Sequence, residues 1–277
     1  MFMRNAPIGV MDSGVGGLTV IGEIWRQLPH EEILFYGDSA RCPYGDRSTE
    51  EIELFTFKAL DYLVGQGVKM LVIACNTATA ICLELARERY EIPVIGVIAP
   101  GARAAIAATS NRKVGIIGTS ATICSGSYPK ALHATHQGIE TFPLACPSFV
   151  SLVERSVTPA EALPIIKATL QPIESTHIDT LILGCTHYPL LAKMIQKVVG
   201  NDIQLINSAE QTARDVSFWL DEHQLTRIDL HDPFHVFLTS GDPLQFSQIG
   251  EQWLCQSIDV SHFDVWRTEF LQSTGDE

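Results

Sequence analysis

Apolar runs of four or five residues recur along the chain, each ending at small or polar residues before a longer segment with helical spacing. Ile8-Gly9-Val10-Met11 is the first such run. It breaks at Asp12-Ser13-Gly14-Val15-Gly16-Gly17, and a helical pattern follows to about Leu28. Ile33–Tyr36 then enters a Pro- and Gly-containing stretch, 37–45, that reads as a loop. Ser48 and Glu51 stand at capping-box spacing ahead of a helix reaching about Gly65. Leu71-Val72-Ile73-Ala74 ends in Cys75-Asn76-Thr77, a helix runs to about Tyr90, and the strand Val94–Val97 follows. Short buried strands alternating with helices predict a parallel sheet covered on both faces.

The pattern then restarts. Val114-Gly115-Ile116-Ile117-Gly118-Thr119-Ser120 repeats Ile8-Gly9-Val10-Met11-Asp12-Ser13-Gly14 at an offset of 106 residues, from 8 to 114. Leu181-Ile182-Leu183-Gly184 ends in Cys185-Thr186-His187, 110 residues after the first strand-end cysteine. Two motifs with similar offsets predict two homologous half-structures. The fold class expected is therefore α/β, with two similar domains, each a parallel sheet flanked by helices. A pseudo-two-fold axis would relate them and place the site between them. Residues 1–98 and 208–277 are assigned to the first domain and 99–207 to the second, with Pro100-Gly101 as the crossover. The strand Phe234–Thr239 and the segment Val260–Val265 are expected to return to the first domain, and Ser273–Glu277 to fray.

Charge and composition narrow the classes. The chain has 277 residues, with 19 basic against 32 acidic side chains, a net charge of −13. Without a basic block, that argues against nucleic acid as a partner. No apolar run approaches membrane length and the first five residues are too short for a signal peptide, so no membrane partner is expected. Seven cysteines without a CxxC or a small secreted frame read as reduced thiols of a cytoplasmic enzyme. Cys82 and Cys255 are expected to be inert packing residues.

The candidate chemistry sits at the strand ends. Asp12-Ser13-Gly14-Val15-Gly16-Gly17 fails the dinucleotide fingerprint and lacks GK[ST]. It reads either as a structural turn capped by Asp12 and Ser13, or as a turn whose N–H groups hold a carboxylate with Asp12 aimed into the cleft. Cys75 and Cys185 each precede a helical segment, where the dipole and free N–H groups favour thiolate. Either cysteine alone could simply be a small buried residue, and Asn76 and Thr77 could simply cap a helix. Cys185-x-His187 could ligate a metal, but no second ligand pair stands at suitable spacing, and His133-x-x-His136 reads as a solvated face, so no metal is expected. Two thiols facing a ligand from opposite sides would suit inversion of a carbon centre, one ionised and the other protonated. A disulfide between them would also fit the sequence.

Asp12-Ser13-Gly14-Val15-Gly16-Gly17-Leu18-Thr19-Val20, Gly37-Asp38-Ser39-Ala40-Arg41-Cys42-Pro43-Tyr44-Gly45, Ala74-Cys75-Asn76-Thr77-Ala78 and Gly184-Cys185-Thr186-His187-Tyr188-Pro189 resemble the motifs of glutamate racemases in order and spacing. The resemblance covers most of the chain. It implies cofactor-independent interconversion of L- and D-glutamate, supplying D-glutamate for peptidoglycan. It makes Cys75 and Cys185 the acid/base thiols, with Asp12 assisting Cys75 and His187 assisting Cys185. Asp12, Ser13, Tyr44, Gly45, Asn76, Thr77, Thr186 and His187 fall on its substrate-binding positions; Pro43 and Thr119 are counted with them. Glu154 matches a carboxylate supporting the second thiol, although Ser151 stands where the family often has proline. Glutamate is the expected small-molecule partner, and a homodimer is compatible with the chain. An aspartate or hydantoin racemase would share the paired thiols, a decarboxylase of the same fold would need only one, and an amino-acid-binding module would need neither.

Overall fold

The computed structural model describes residues 4–155, 157–229 and 232–266. The stretch Ser273–Glu277 lies outside them. Among the described residues, ten strands form two sheets: β1 Ile8–Asp12, β2 Ile33–Gly37, β3 Met70–Ile73, β4 Val94–Gly96, β5 Lys113–Gly118, β6 Glu140–Ala145, β7 Thr180–Gly184, β8 Gln204–Ile206, β9 Val236–Thr239 and β10 Val260–His262. The first sheet has the order β10-β9-β2-β1-β3-β4 and the second β6-β5-β7-β8. Every pairing is parallel. Counted along each half, both sheets share the order second, first, third, fourth, so the repeat read in the sequence is a repeat of topology.

The central strands are continuous apolar runs because both their faces are covered. Helices Leu18–Gln27 and Ala209–Glu222 bury Leu18, Ile21, Ala213 and Val216 against Ile8 and Val10 on one face of the first sheet. Helices Thr49–Gly65 and Asn76–Arg89 close the other face over Met11, Leu71 and Ile73. The first of these has the full capping box: Glu51 N–H donates to Ser48 Oγ at 3.2 Å and Ser48 N–H to Glu51 Oε2 at 3.1 Å. Pro143, which cannot donate to a ladder, lies in β6 at the edge of the second sheet. β9 pairs with β2 and β10 with β9, so the C-terminal strands do return to the first sheet.

Pro100 and Gly101 lie in the first turn of the helix Ile98–Ala108, which runs between β4 and β5 and where a missing N–H costs nothing. One local reading is corrected. Cys255 is exposed, at the left-handed end of the helix Pro243–Leu254, whereas Cys82 is buried as expected. Among the described residues, no helix is long and apolar enough to cross a membrane.

Candidate active site

In a sheet ordered second, first, third, the connection out of the first strand and the one into the third run to opposite sides, opening a crevice beyond the ends of the first and third strands. In the first sheet that crevice lies beyond β1, which ends in Asp12, and β3, which leads to Cys75. In the second it lies beyond β5, which leads to Thr119, and β7, which leads to Cys185. The two crevices face one narrow cavity, of about 10 Å³, lined by Ser13, Pro43, Tyr44, Gly45, Asn76, Thr77, Thr119, Thr186 and His187 together with Cys75 and Cys185. Cys42 and Val150 line it as well. Both strand-end cysteines are free thiols, so they form no disulfide.

Contacts across the cavity are made by side chains of opposite halves. Thr77 and Thr119 share a hydroxyl hydrogen bond of 2.9 Å, and Thr119 also accepts from Thr122 N–H as cap of its own short helix. Tyr128 O–H donates to Asn76 Oδ1 at 2.7 Å. Thr186 O–H donates to Asp12 Oδ1 at 3.2 Å, while Gly14 N–H donates to Asp12 Oδ2 at 3.0 Å. Asp12 thus pins its own turn and reaches the other half at once, although it does not itself line the cavity. Two glycines permit this closeness: a Cβ on Gly16 would strike Thr186 and His187, and one on Gly45 would strike Thr119. Tyr44 is set by its O–H bond to Asp38 Oδ2 at 2.7 Å, and Asp38 is held in turn by Arg41 and Ser240.

The two thiols have unlike surroundings. Cys75 caps the helix Asn76–Arg89: Ala78 N–H points at its sulfur at 3.4 Å, and its S–H points at Ser13 Oγ, also at 3.4 Å. Burial and the neighbouring Asp12 charge nevertheless push this thiol up to about 12, against the helix-start effect expected from sequence. At Cys185 the expected helix is displaced. A 3₁₀ turn, Tyr188–Leu191, comes first, and the α-helix starts only at Ala192. Charge reaches this sulfur through His187, whose Nδ1 lies 3.8 Å from it and whose Nε2 lies 2.6 Å from Glu154 Oε1. Burial pulls the imidazole down, but its bonds to Cys185, Cys42 and Glu154 outweigh that and hold it well above its ordinary range. Glu154 therefore meets the cavity through His187 and not directly.

Burial is also the chief cause that lifts Asp12, to about 6 from 3.8. A folded-state pKa above the unfolded one means that the fold prefers the neutral acid. The associated stability is complete below about pH 4 and lost as pH rises through 6. Asp12→Asn cannot ionise, so its melting temperature relative to the parent should improve between about pH 4 and pH 8, by an amount worth about 1–3 kcal/mol. Equal differences at both pH values in thermal melts would contradict this.

Cys42 and Tyr128 were not singled out as site residues from the sequence. Cys42 stood inside a quoted loop without a partner to give it meaning, and Tyr128 carries no local signal.

The Asp/Glu/Hydantoin racemase family model matches residues 8–216. A glutamate racemase of Exiguobacterium sibiricum is 52% identical over 257 residues, covering 92% of this chain and 95% of that protein. The crystal structure of glutamate racemase isoform RacE1 from Bacillus anthracis superposes with a TM-score of 0.91 at 47% identity, covering 94% of this chain and 98% of that one. The Francisella tularensis glutamate racemase, solved in complex with D-glutamate, gives 0.88 at 35% identity, covering 95% and 99%.

Proposed function

This chain belongs to the Asp/Glu/Hydantoin racemase family, and we propose that it interconverts L- and D-glutamate without a cofactor, Cys75 and Cys185 acting as the two proton carriers. The reading includes supply of D-glutamate for peptidoglycan from the cytoplasm. One observation carries the mechanism: two free thiols, at the ends of topologically equivalent strands, line a single cavity.

In this reading a thiolate on one side removes the Cα proton and the thiol opposite delivers another to the far face. The charge left at Cα spreads onto the α-carboxylate, so donors aimed at that group stabilise the transition state. Ser13, Thr77 and Thr119 offer hydroxyls. The Tyr128 bond to Asn76 Oδ1 turns the Asn76 NH₂ away from Tyr128 and leaves its donors free. The His187 imidazolium, backed by Glu154, can balance a thiolate at Cys185. At Cys75, the incoming α-ammonium group brings the positive charge that would offset Asp12.

The test is inversion in heavy water. L-glutamate is supplied and the reaction stopped after a small fraction has turned over. The thiol opposite the base has already exchanged with solvent, so the D-glutamate formed should be almost fully deuterated at Cα while remaining L-glutamate stays protiated. Starting from D-glutamate should give the mirror result. Protium-rich product in either direction would mean one base and not two. Aspartate and a hydantoin, run beside glutamate by polarimetry, should turn over far more slowly; preference for either would overturn the substrate.

A further inference from the structure

Cys42, Glu154 and His187 come from three separate stretches of chain, yet their ligand atoms all lie within 4.8 Å of one another. Cys42 Sγ is 3.9 Å from Glu154 Oε1, and His187 Nε2 is 2.6 Å from the same oxygen. Sulfur, imidazole nitrogen and carboxylate oxygen make up a donor set that zinc-class ions take, at bond lengths of about 2.0–2.3 Å. A tetrahedral ion with such bonds keeps its donors roughly 3.4–3.6 Å apart. The sulfur–oxygen gap would have to shrink slightly and the nitrogen–oxygen gap to widen, as happens when a metal replaces the proton of a hydrogen bond.

Two further features fit an ion. Glu154 is 30% exposed and also lines an open cleft with Val15, Ser39, Asp242 and Gln245, which gives a path from solvent. Gly14 leaves the place uncrowded: a Cβ there would lie 3.1 Å from Cys42 Sγ and 3.6 Å from Glu154 Oε1.

We propose that Cys42, Glu154 and His187 form an inhibitory site for one zinc-class divalent cation. Binding releases the thiol proton of Cys42 and the proton held between His187 and Glu154. Cys42 belongs to the loop after β2, whereas Glu154 and His187 belong to the second half, so the ion ties the halves together. It also takes up Nε2 of His187, whose Nδ1 lies 3.8 Å from Cys185 Sγ, and so replaces the imidazolium proposed to balance a Cys185 thiolate. The inhibitory part rests on the racemase reading; the binding part does not.

Cobalt(II) is the probe, titrated into the reduced full-length protein, because a thiolate ligand gives a near-ultraviolet charge-transfer band and tetrahedral geometry gives strong visible bands. One equivalent should saturate both, and zinc should displace them. Cys42→Ser should lose the charge-transfer band, Glu154→Gln should weaken binding at least about tenfold, and the double variant Cys75→Ser/Cys185→Ser should keep the band. A band that survives in Cys42→Ser, one lost from the double variant, or no saturable binding overturns the site. Should Cys42→Ser not fold, Glu154→Gln with unchanged affinity overturns it equally. In the racemase assay one equivalent of zinc should stop turnover, a chelator should restore it, and Cys42→Ser should need at least tenfold more zinc. Cobalt binding with turnover undiminished by zinc would remove the inhibitory part alone. A protein that binds cobalt but never racemises glutamate would instead remove the functional reading.

Discussion

Cys75→Ala and Cys185→Ala should each lower kcat for glutamate racemisation by about 10²–10⁴-fold or more, in both directions, because inversion needs an acceptor and a donor in every turnover. Each replacement removes one small buried group, so circular dichroism and thermal melting should report a folded protein. The double variant should be scarcely worse than either single one, since residues that act as a unit fail together. Mixing the two single variants should restore nothing, because the cavity is assembled from both halves of one chain. Steady racemisation by either variant within about tenfold of the parent would defeat the assignment of two thiols.

Gly16→Ala is expected to cost about 10²-fold in kcat/KM with little change in melting temperature. The added methyl group has no room against Thr186 and His187 while the halves stay as close as they are. The halves can part slightly, which preserves each sheet but moves Cys185 and its histidine away from Cys75. Gly65→Ala is the matching control: its Cβ would meet nothing within 4 Å. Parent-like kinetics in Gly16→Ala would show that the reaction tolerates a wider cleft.

The strands, the capping box at Ser48 and the joins at Cys75 and Cys185 could be read from sequence because each depends on neighbours close along the chain. Asp12 was a candidate for the same reason, as the last residue of a strand before a glycine turn, and its two readings stood as alternatives. The meeting of Cys42, Glu154 and His187 could not be read, since it depends on how a loop of one half lands on two elements of the other. Tyr128 is similar: its whole significance lies in the one bond it makes to Asn76, 52 residues away. The upward pull on the Cys75 thiol could not be read, because helix-start effects are local and visible, whereas burial is summed over the finished fold. At Cys185, Pro189 signalled a helix start, and the chain inserted a tighter turn before the true helix.

The placement of β9 has a consequence for the order in which the molecule can be made. The second sheet is drawn wholly from residues 113–206, one uninterrupted stretch whose pairings need nothing synthesised later. The first sheet starts earlier but is not complete until Val236–Thr239 has been added beside β2, some two hundred positions after its partner. Emerging from a ribosome N-terminus first, β2 must keep an unpaired edge while the whole second half is made. Lys69, buried beneath this sheet, must likewise await Leu225, whose carbonyl accepts from its ammonium at 2.8 Å. The half begun first is thus the half finished last.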